Sequence, residues 1–342
     1  MKTSTFRIAR GAAAGLQKRA YTQATTPRHL MTIADLTPTE FANLVRDANT
    51  RKIAVKGGAP ASYLNAGLAG KAVAMMFSKR STRTRVSTEA AVTMLGGHPM
   101  FLGKDDIQLG VISSMTSCMV ARVGPHSDVA TLAKHSSVPV INALSDDFHP
   151  LQTIADFLTL HETFPSSSSK GATLGLNGLK VAWVGDANNV LFDLAIGCVK
   201  MGVDISVAAP QGYEIPETMR QLITSAGDGV SSPGKLIETN VPEEAVKDAN
   251  VLVTDTWVSM GQEADTQKRL KDFAGFQITN DLAKRGGAKD DWKFMHCLPR
   301  HPEEVADEVF YSPRSLVFPE AENRLWAAVS VLEGFVVNKG RF

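Results

Sequence analysis

Hydroxyl and basic side chains are crowded into one short segment between an apolar run and a helical pattern. The segment runs Phe77-Ser78-Lys79-Arg80-Ser81-Thr82-Arg83-Thr84-Arg85. The free N–H groups and dipole of a helix N-terminus bind anions, and an arginine adds a bidentate fork for phosphate. Basic side chains this close together also repel one another unless an anion lies among them. The spacing predicts a phosphate site contacted by Ser81 to Thr84, with a capped, solvated helix start as the competing interpretation.

A second candidate is the tetrapeptide His149-Pro150-Leu151-Gln152, in which the proline suits the first turn of a helix. Residues three apart share a helix face, so the side chains of His149 and Gln152 can act on one ligand. Each can donate to a carbonyl oxygen or accept from an amide. Taken alone, the pair is also typical of an exposed histidine near a helix start.

Polar residues follow two predicted strands further along the chain. Asn188 and Asn189 come after a strand that ends at Val184, and either one is also suited to cap the next helix. Asp255 follows the strand 251–254, where its carboxylate suits an ammonium group, although a capping aspartate in a turn explains it equally well. Ligands of open α/β sheets bind beyond the carboxyl ends of the strands, so these side chains are candidates for one site.

Cys297 lies at another predicted strand end, between His296 and Arg300. A thiol beside basic groups is expected to have a lowered pKa. The competing interpretation is a buried structural cysteine, which is also the prediction for Cys118 and Cys198 in segments interpreted as helical. Three cysteines without a C-x-x-C pair exclude a disulfide framework and argue against a zinc module.

Two similarities to nucleotide-binding motifs fail. Gly229 to Lys235 has the spacing of a phosphate-binding loop, but Leu236 stands where that loop needs serine or threonine. The segment 184–189 follows a strand but lacks the glycines of a dinucleotide fingerprint. A nicotinamide-dependent α/β enzyme is therefore disfavoured.

The elements that must position these residues alternate between strand and helix. The predicted strands are 71–77, 139–142, 179–184, 204–208, 251–254 and 294–296, and the helices begin at 38, 81, 128, 149, 189, 214 and 320. This alternation predicts two open α/β domains with parallel sheets flanked by helices. A serine-rich connector at 165–171 divides them. The predicted domains are 35–165 and 166–319, followed by a C-terminal helix in 320–342.

The composition is that of a globular chain with an unusual leader. The chain has 342 residues, 44% hydrophobic and 21% charged, which suits about two domains with a sizeable core. Residues 1–34 hold six Lys and Arg and no acid, whereas the remainder has 30 basic and 35 acidic residues. Such a leader is typical of a mitochondrial transit peptide, with a plain disordered tail as the alternative. The acidic remainder argues against nucleic-acid binding by bulk charge.

Together these motifs resemble the aspartate/ornithine carbamoyltransferase family, from about Thr32 to the C-terminus. S-T-R-T-R at 81–85 and H-P-x-Q at 149–152 are shared across that family. D-x-x-x-S-M-G at 255–261 and H-C-L-P-R at 296–300 are typical of its ornithine branch. The resemblance implies a carbamoyl-phosphate domain, then an amino-acid domain, with the last helix returning to the first. It also implies a homotrimer with active sites at subunit interfaces, and with the leader it predicts the mitochondrial matrix.

The resemblance further implies a set of residues for each substrate. Those for carbamoyl phosphate are Ser81, Thr82, Arg83, Thr84, Arg122, His149, Gln152, Cys297, Leu298 and Arg324, with Gln108 reaching in from a neighbouring subunit. Those for ornithine are Asn189, Asp255, Ser259, Met260 and Cys297. The implied catalytic residues are Arg122, His149 and Cys297.

The implied reaction transfers the carbamoyl group from carbamoyl phosphate to the δ-amine of L-ornithine, giving L-citrulline and phosphate, a step of arginine biosynthesis and the urea cycle. No metal, organic cofactor, nucleic acid or membrane partner is expected. The loop 259–261 is expected to close over ornithine. One alternative is a different amine acceptor, namely aspartate, acetylornithine or putrescine. Another is a non-catalytic partner subunit that binds anions in the same pocket.

Overall fold

Two parallel β-sheets form the frame of the protein. The computed structural model describes residues 26–60, 63–64, 67–103, 109–164, 173–258 and 263–342. One sheet lies in each half of the chain, and helices flank both, which confirms the predicted fold class. Within these ranges no helix is both long enough and apolar enough to cross a membrane.

The first sheet has four parallel strands in the order β2-β1-β3-β4. The strands are β1 (Ala72–Phe77), β2 (His98–Gly103), β3 (Cys118–Arg122) and β4 (Val140–Leu144). The helices around it are α1 (Pro38–Lys56), α2 (Thr82–Met94), α3 (Leu109–Met115), α4 (His126–His135) and α5 (Pro150–Thr163). Because β1 lies at the centre, the turn that follows it opens at the middle of the sheet's carboxyl edge.

The second sheet has five parallel strands in the order β7-β6-β5-β8-β9. The strands are β5 (Lys180–Val184), β6 (Asp204–Ala208), β7 (Leu236–Thr239), β8 (Val251–Thr254) and β9 (Lys293–His296). The helices are α6 (Asn189–Met201), α7 (Glu217–Ser225), α8 (Pro242–Val246), α9 (Thr266–Asp272), α10 (Asn280–Gly286), α11 (Asp307–Phe310) and α12 (Val317–Leu332). The central strands β5 and β8 carry the segments that follow Val184 and Thr254.

Helix starts follow their capping residues. Thr37 and Glu40 form a capping box at α1, with Pro38 at the first helical position, as the sequence predicts. Ser81 caps α2 by accepting a hydrogen bond from the Thr84 N–H at 3.3 Å. The predicted helix start after β1 is therefore confirmed.

The sequence misses two strands and assigns one segment wrongly. The strands β2 and β7 lie at sheet edges and are largely exposed. Pro99 within β2 argues against a strand, and β7 has only two apolar residues, so neither is predicted as a buried strand. Cys118 begins the fully buried strand β3 rather than a helix. A short apolar run does not distinguish a buried strand from a buried helix by periodicity alone.

Residues 26–34 belong to the described fold, whereas the predicted leader extends to residue 34. Leu30 is fully buried and pairs with Ile141 as an isolated parallel bridge beside β4. Ile33 is also fully buried. Arg28 forms an ion pair with Glu40 at 2.5 Å. Residues 26–34 contain no Asp or Glu, so the absence of acids does not distinguish this folded segment from a leader. The rest of the predicted leader, residues 1–25, lies outside the described residues.

The C-terminal helix α12 packs on the first half of the chain, as the family resemblance implies. It contacts α5, α2 and α1, and also β9 of the second sheet. Trp326 and Val329 join an apolar core that is continuous from α1 through α5 and α6 to β5. This helix therefore ties the two sheets together and brings its first turns close to the cleft between them.

Candidate active site

A cleft of about 1550 Å³ opens where the carboxyl ends of the two sheets face each other. The wall from the first sheet includes Ser81, Thr82 and Arg83 after β1, with Arg122 at the end of β3. The wall from the second sheet includes residues that follow β5, β8 and β9. Most of the candidate residues thus meet at one site, as expected for strand ends in open α/β sheets.

Guanidinium groups without carboxylate partners gather on the first wall. Among the described residues, no carboxylate forms an ion pair with Arg83, Arg122 or Arg324. Arg122 is buried, and its Nε has no hydrogen-bond partner there. Burial lowers the pKa of Arg122, and the neighbouring cation Arg83 lowers it further. Cys297 acts in the opposite direction. Such a group lacks an anion, since buried charges are normally paired.

Arg83 reaches across the cleft to the second wall. Its Nη2 donates to the Leu298 carbonyl, and its Nη1 lies 3.9 Å from the Cys297 Sγ. Leu298 has φ 62°, in the left-handed region that is uncommon for a residue with a side chain. Residues held in this region cluster at functional sites.

Arg324, from α12, lies directly behind the wall and joins three other candidates. Its Nη1 donates to His149 Nε2 at 3.1 Å and to Gln152 Oε1 at 2.9 Å, and its Nη2 lies 3.4 Å from Thr84 Oγ1. The predicted shared face of His149 and Gln152 is therefore used, although the partner that joins them belongs to another helix. Of these four residues only His149 lines the cleft; the others are buried behind it.

His149 is held as a neutral imidazole. Burial lowers its pKa well below the usual range, and the cations Arg324, Arg122 and Arg83 lower it further. Because Arg324 donates to Nε2, the hydrogen-bond network assigns the ring proton to Nδ1. Nδ1 is buried and has no partner among the described residues, so it is free to donate to a ligand oxygen.

Asp255 presents an unpaired carboxylate oxygen on the second wall. The side chain is buried; Oδ2 accepts from Asn188 Nδ2 at 3.0 Å, whereas Oδ1 has no partner in the described structure. Burial raises the pKa of Asp255. A buried oxygen without a donor suits an ammonium group, as the sequence predicts.

The two carboxamides after β5 have different tasks. Asn188 caps α6 by accepting from the Val190 and Leu191 N–H groups, so the capping interpretation is correct for this residue. Asn189 instead donates to the Ser145 carbonyl at 2.6 Å, across the cleft. Asn189 is therefore placed where it can contact a ligand.

Cys297 lies in the cleft, but the expected lowering of its pKa is wrong. Burial raises the pKa of the thiol to about 12, and the carboxylate of Asp255 acts in the same direction. The cations Arg83 and Arg324 oppose this shift without overcoming it. The group is a neutral thiol at physiological pH.

Three implied binding residues cannot be placed. Gln108, Ser259 and Met260 lie outside the described residues.

Glu304 is a buried residue near the site that the sequence analysis missed. It accepts from His296 Nε2 at 3.0 Å and from the Trp257 N–H at 3.2 Å. An acidic pair after a proline is typical of an exposed loop, so nothing in the sequence distinguishes Glu304 from its exposed neighbour Glu303.

Comparison with known proteins identifies relatives for both halves of the chain. Residues 28–162 match the family model described as "Aspartate/ornithine carbamoyltransferase, carbamoyl-P binding domain". Residues 177–334 match "Aspartate/ornithine carbamoyltransferase, Asp/Orn binding domain". A curated protein of Aspergillus terreus, "Ornithine carbamoyltransferase, mitochondrial", is 68% identical over 340 residues, covering 94% of either chain. The Saccharomyces cerevisiae "Ornithine carbamoyltransferase" is 47% identical, covering 94% of this chain and 98% of its own.

Solved structures agree with these matches. The crystal structure of a mitochondrial ornithine carbamoyltransferase from Coccidioides immitis has a TM-score of 0.86 and 67% identity, covering 92% of this chain and 99% of that one. An ornithine carbamoyltransferase from Pyrococcus furiosus has a TM-score of 0.81 and 41% identity, covering 92% and 98%.

Proposed function

Since the chain belongs to the aspartate/ornithine carbamoyltransferase family, we propose that the cleft between its sheets is the site of carbamoyl transfer. The chain has the activity of an ornithine carbamoyltransferase: it moves the carbamoyl group of carbamoyl phosphate to the δ-amine of L-ornithine, giving L-citrulline and phosphate. It is a mitochondrial member of the family. The observation that carries the proposed site is that unpaired guanidinium groups and an unpaired carboxylate oxygen face one cleft.

Carbamoyl phosphate is placed on the first wall. The N-terminus of α2 and the Ser81, Thr82 and Arg83 side chains hold the phosphate, because free N–H groups and a guanidinium fork suit an oxyanion. Thr84, Gln152 and Arg324 form a hydrogen-bonded layer behind this wall, and we assign them to the rear of the carbamoyl-phosphate site. Leu298, whose carbonyl accepts from Arg83, closes the far side.

Charge stabilisation at the carbamoyl oxygen is assigned to Arg122 and His149, with Thr84 behind them. The oxygen becomes negative as the amine attacks the carbon, and preorganised donors lower the energy of that state. The neutral His149 donates from Nδ1, and Arg122 supplies positive charge. Positioning and charge are the tasks left to the protein, because the mixed anhydride of carbamate and phosphate already activates the carbonyl carbon.

Ornithine is placed on the second wall, with its α-ammonium group on Asp255 and its chain along Asn189, Ser259 and Met260. The walls carry opposite net charge, since the first contributes mainly Lys and Arg and the second mainly Asp and Glu. This difference in charge between the walls suits ornithine, whose amine has to reach carbamoyl phosphate on the first wall.

The attacking amine must be neutral, and a free alkyl ammonium has a pKa of about 10.4. A new N–C bond forms, the C–O bond to phosphate breaks, and one amine proton has to leave. The thiol of Cys297, with a pKa of about 12, is already protonated and is no base at this stage. The leaving phosphate, a dianion beside the amine, is the acceptor we propose, and Cys297 serves to contact ornithine.

Replacing Cys297 with serine tests whether this residue contacts ornithine without serving as the proton acceptor. We expect the KM for ornithine to rise by about fivefold, since a contact is altered, while the KM for carbamoyl phosphate changes by less than about twofold. The pH dependence of kcat/KM on the alkaline side should keep its midpoint, because the thiol does not titrate there. Steady-state kinetics from pH 6 to 10 give all three values. Cys118→Ala is the control, and an unchanged ornithine KM counts against the role of Cys297.

An acceptor panel tests the overall assignment. Purified protein with carbamoyl phosphate should form citrulline and phosphate in equal amounts with ornithine. Aspartate, acetylornithine and putrescine should each give rates lower by at least about a hundredfold. Aspartate lacks the δ-amine, and the other two lack the α-ammonium group that Asp255 is proposed to bind. If none of the four acceptors gave a product, the only remaining interpretation would be a non-catalytic partner subunit that binds anions in this pocket.

A homotrimer is proposed from the exposed apolar edge of the first sheet. The edge strand β2 exposes Met100 and Phe101, by 38% and 42%. Val86 of α2, a helix that contacts β2, and Met115 of α3 are also exposed, by 59% and 74%. An exposed apolar edge strand is suited to contact with another chain. The segment that holds Gln108 follows this strand, which suits its proposed reach into a neighbouring site.

Phe101→Glu is expected to weaken this assembly, because it places a charge on the proposed contact. Sedimentation velocity should show a shift from trimer to monomer at micromolar concentration, and specific activity should fall by about tenfold or more if Gln108 acts across the interface. Tyr311→Glu is the control, since Tyr311 is 69% exposed in the other half of the chain. A Phe101→Glu protein that remains trimeric would contradict the assignment of this edge.

A further inference from the structure

Two buried carboxyl groups lie behind the carbamoyl-phosphate site and have no task in the mechanism above. Asp156 comes from α5, one turn after Gln152, and Glu320 comes from the first turn of α12. Both side chains are almost completely buried. Each accepts a hydrogen bond from the Gln152 amide, at 2.7 Å to Asp156 Oδ1 and 2.8 Å to Glu320 Oε1.

These contacts fix the direction of the Gln152 amide. An amide nitrogen has two N–H donors, and both are taken by the two carboxyl groups. The amide oxygen therefore faces the other way, where it accepts from Arg324 Nη1 at 2.9 Å. A flipped amide would place its oxygen against two acceptor oxygens and its nitrogen against a guanidinium donor. Only one orientation satisfies every partner.

The two carboxyl groups share a proton. Burial raises the pKa of Asp156 to about 7 and that of Glu320 well above its usual range. A hydrogen bond joins the two groups, and two adjacent buried negative charges are not stable together. One carboxyl keeps its proton and donates it to the other, so the pair carries a single charge at most.

Glu320 also connects this pair to the second sheet. Its Oε2 accepts from the His296 N–H at 3.0 Å, at the end of β9 and one residue before Cys297. The pair is thus anchored by α5, by α12 and by the strand that leads into the opposite wall. A group held from three elements is suited to orient a neighbouring side chain.

We propose that Asp156 and Glu320 are positioning residues that hold the Gln152 amide oxygen towards the carbamoyl amino group, so that the site selects carbamoyl phosphate over acyl phosphates that lack this group. The inference rests on the proposed placement of carbamoyl phosphate. The oxygen has a second lone pair besides the one that Arg324 uses, and it accepts an N–H of the carbamoyl group. An acyl phosphate with a methyl group in the same place has no N–H to donate, so the orientation of the Gln152 amide does not strengthen its binding.

Acetyl phosphate is the probe, because it differs from carbamoyl phosphate only by methyl in place of amino. Its inhibition constant against carbamoyl phosphate and the KM for carbamoyl phosphate are measured with the full chain by citrulline formation. In Asp156→Leu we expect the KM for carbamoyl phosphate to rise by about tenfold, the value of one lost hydrogen bond of this kind. The inhibition constant of acetyl phosphate should change by less than about twofold, since that ligand does not use the bond.

Asp156→Asn is the conservative control. Asparagine keeps an oxygen for the Gln152 amide and donates to Glu320 in place of the shared proton. The ratio of the acetyl phosphate inhibition constant to the carbamoyl phosphate KM should therefore stay near the wild-type value. Gln152→Leu removes the amide and should reproduce the lost selectivity. Glu320→Met removes the other acceptor from a different helix and gives the same test if Asp156→Leu shows no cooperative thermal unfolding.

The outcomes separate the two claims. If Gln152→Leu leaves the ratio unchanged, the placement of the carbamoyl group is wrong. If Gln152→Leu lowers the ratio but Asp156→Leu and Glu320→Met weaken both ligands equally, the carboxyl groups have a structural role only and the inference is overturned. Loss of selectivity in both disruptive variants, with recovery in Asp156→Asn, supports it.

Discussion

Replacing Arg83 with alanine is expected to lower kcat/KM for carbamoyl phosphate by about a hundredfold to a thousandfold, as for loss of one preorganised donor to a developing anion. Arg83 lines the cleft, pairs with no carboxylate among the described residues and reaches the Leu298 carbonyl on the opposite wall. Its loss removes both a phosphate fork and a contact between the walls. Steady-state kinetics with carbamoyl phosphate as the varied substrate measure the change.

Two further variants make this result specific. Arg83→Lys keeps the charge and loses the fork, so its kcat/KM should fall between those of alanine and wild type. Arg285→Ala removes a half-exposed arginine that pairs with Asp281 and Glu243, and its activity should equal that of wild type. Turnover of Arg83→Ala at the wild-type rate would refute the phosphate site at the start of α2.

Replacing Asp255 with asparagine is expected to raise the KM for ornithine by about a hundredfold, because an ammonium group then lacks its buried counter-charge. The substitution keeps the acceptor for Asn188 and nearly the same shape, so packing around β8 is preserved. The KM for carbamoyl phosphate should stay within about threefold of wild type, since that ligand lies on the other wall. Initial rates with each substrate varied in turn measure the difference.

The same residue predicts a pH effect. Burial raises the pKa of Asp255 above that of an ordinary aspartate, and only the ionised form binds an ammonium group. Ornithine affinity in the wild type should therefore fall as the pH is lowered through that pKa, and Asp255→Asn should lose this dependence. Asp281→Asn, on the surface of α10, is the control. An ornithine KM that is unchanged in Asp255→Asn would remove this aspartate from the site.

The sequence predicts the site best where local rules determine the structure. The turn after β1 is placed correctly because Ser81 is a strong N-cap and an apolar run precedes it. Asp255 and Asn189 are predicted as candidates because they follow buried central strands, whose ends meet at one edge, and both line the cleft. Arg324 has no local motif of this kind, and only the family resemblance indicates it.

The sequence-based predictions fail where a property depends on burial or on residues that are distant in the chain. The pKa of Cys297 depends on the depth of the cleft and on Asp255, and neither follows from the basic residues beside it in the chain. The edge strand β2 is too exposed to be predicted, yet it carries the apolar surface on which the proposed trimer depends. Glu320 looks like an ordinary first-turn acid, and only the packing of α12 against α5 buries it beside Gln152.

A crystal structure with a bisubstrate analogue, in which a phosphonate is joined through an acyl group to the δ-nitrogen of ornithine, tests the central claim most directly. The phosphonate oxygens should lie about 2.7–3.1 Å from donors of Ser81 to Thr84, with the α-ammonium group at a similar distance from Asp255 Oδ1. The carbonyl oxygen of the analogue should face Arg122 and His149. Density for the analogue elsewhere, with the start of α2 empty, would contradict the account.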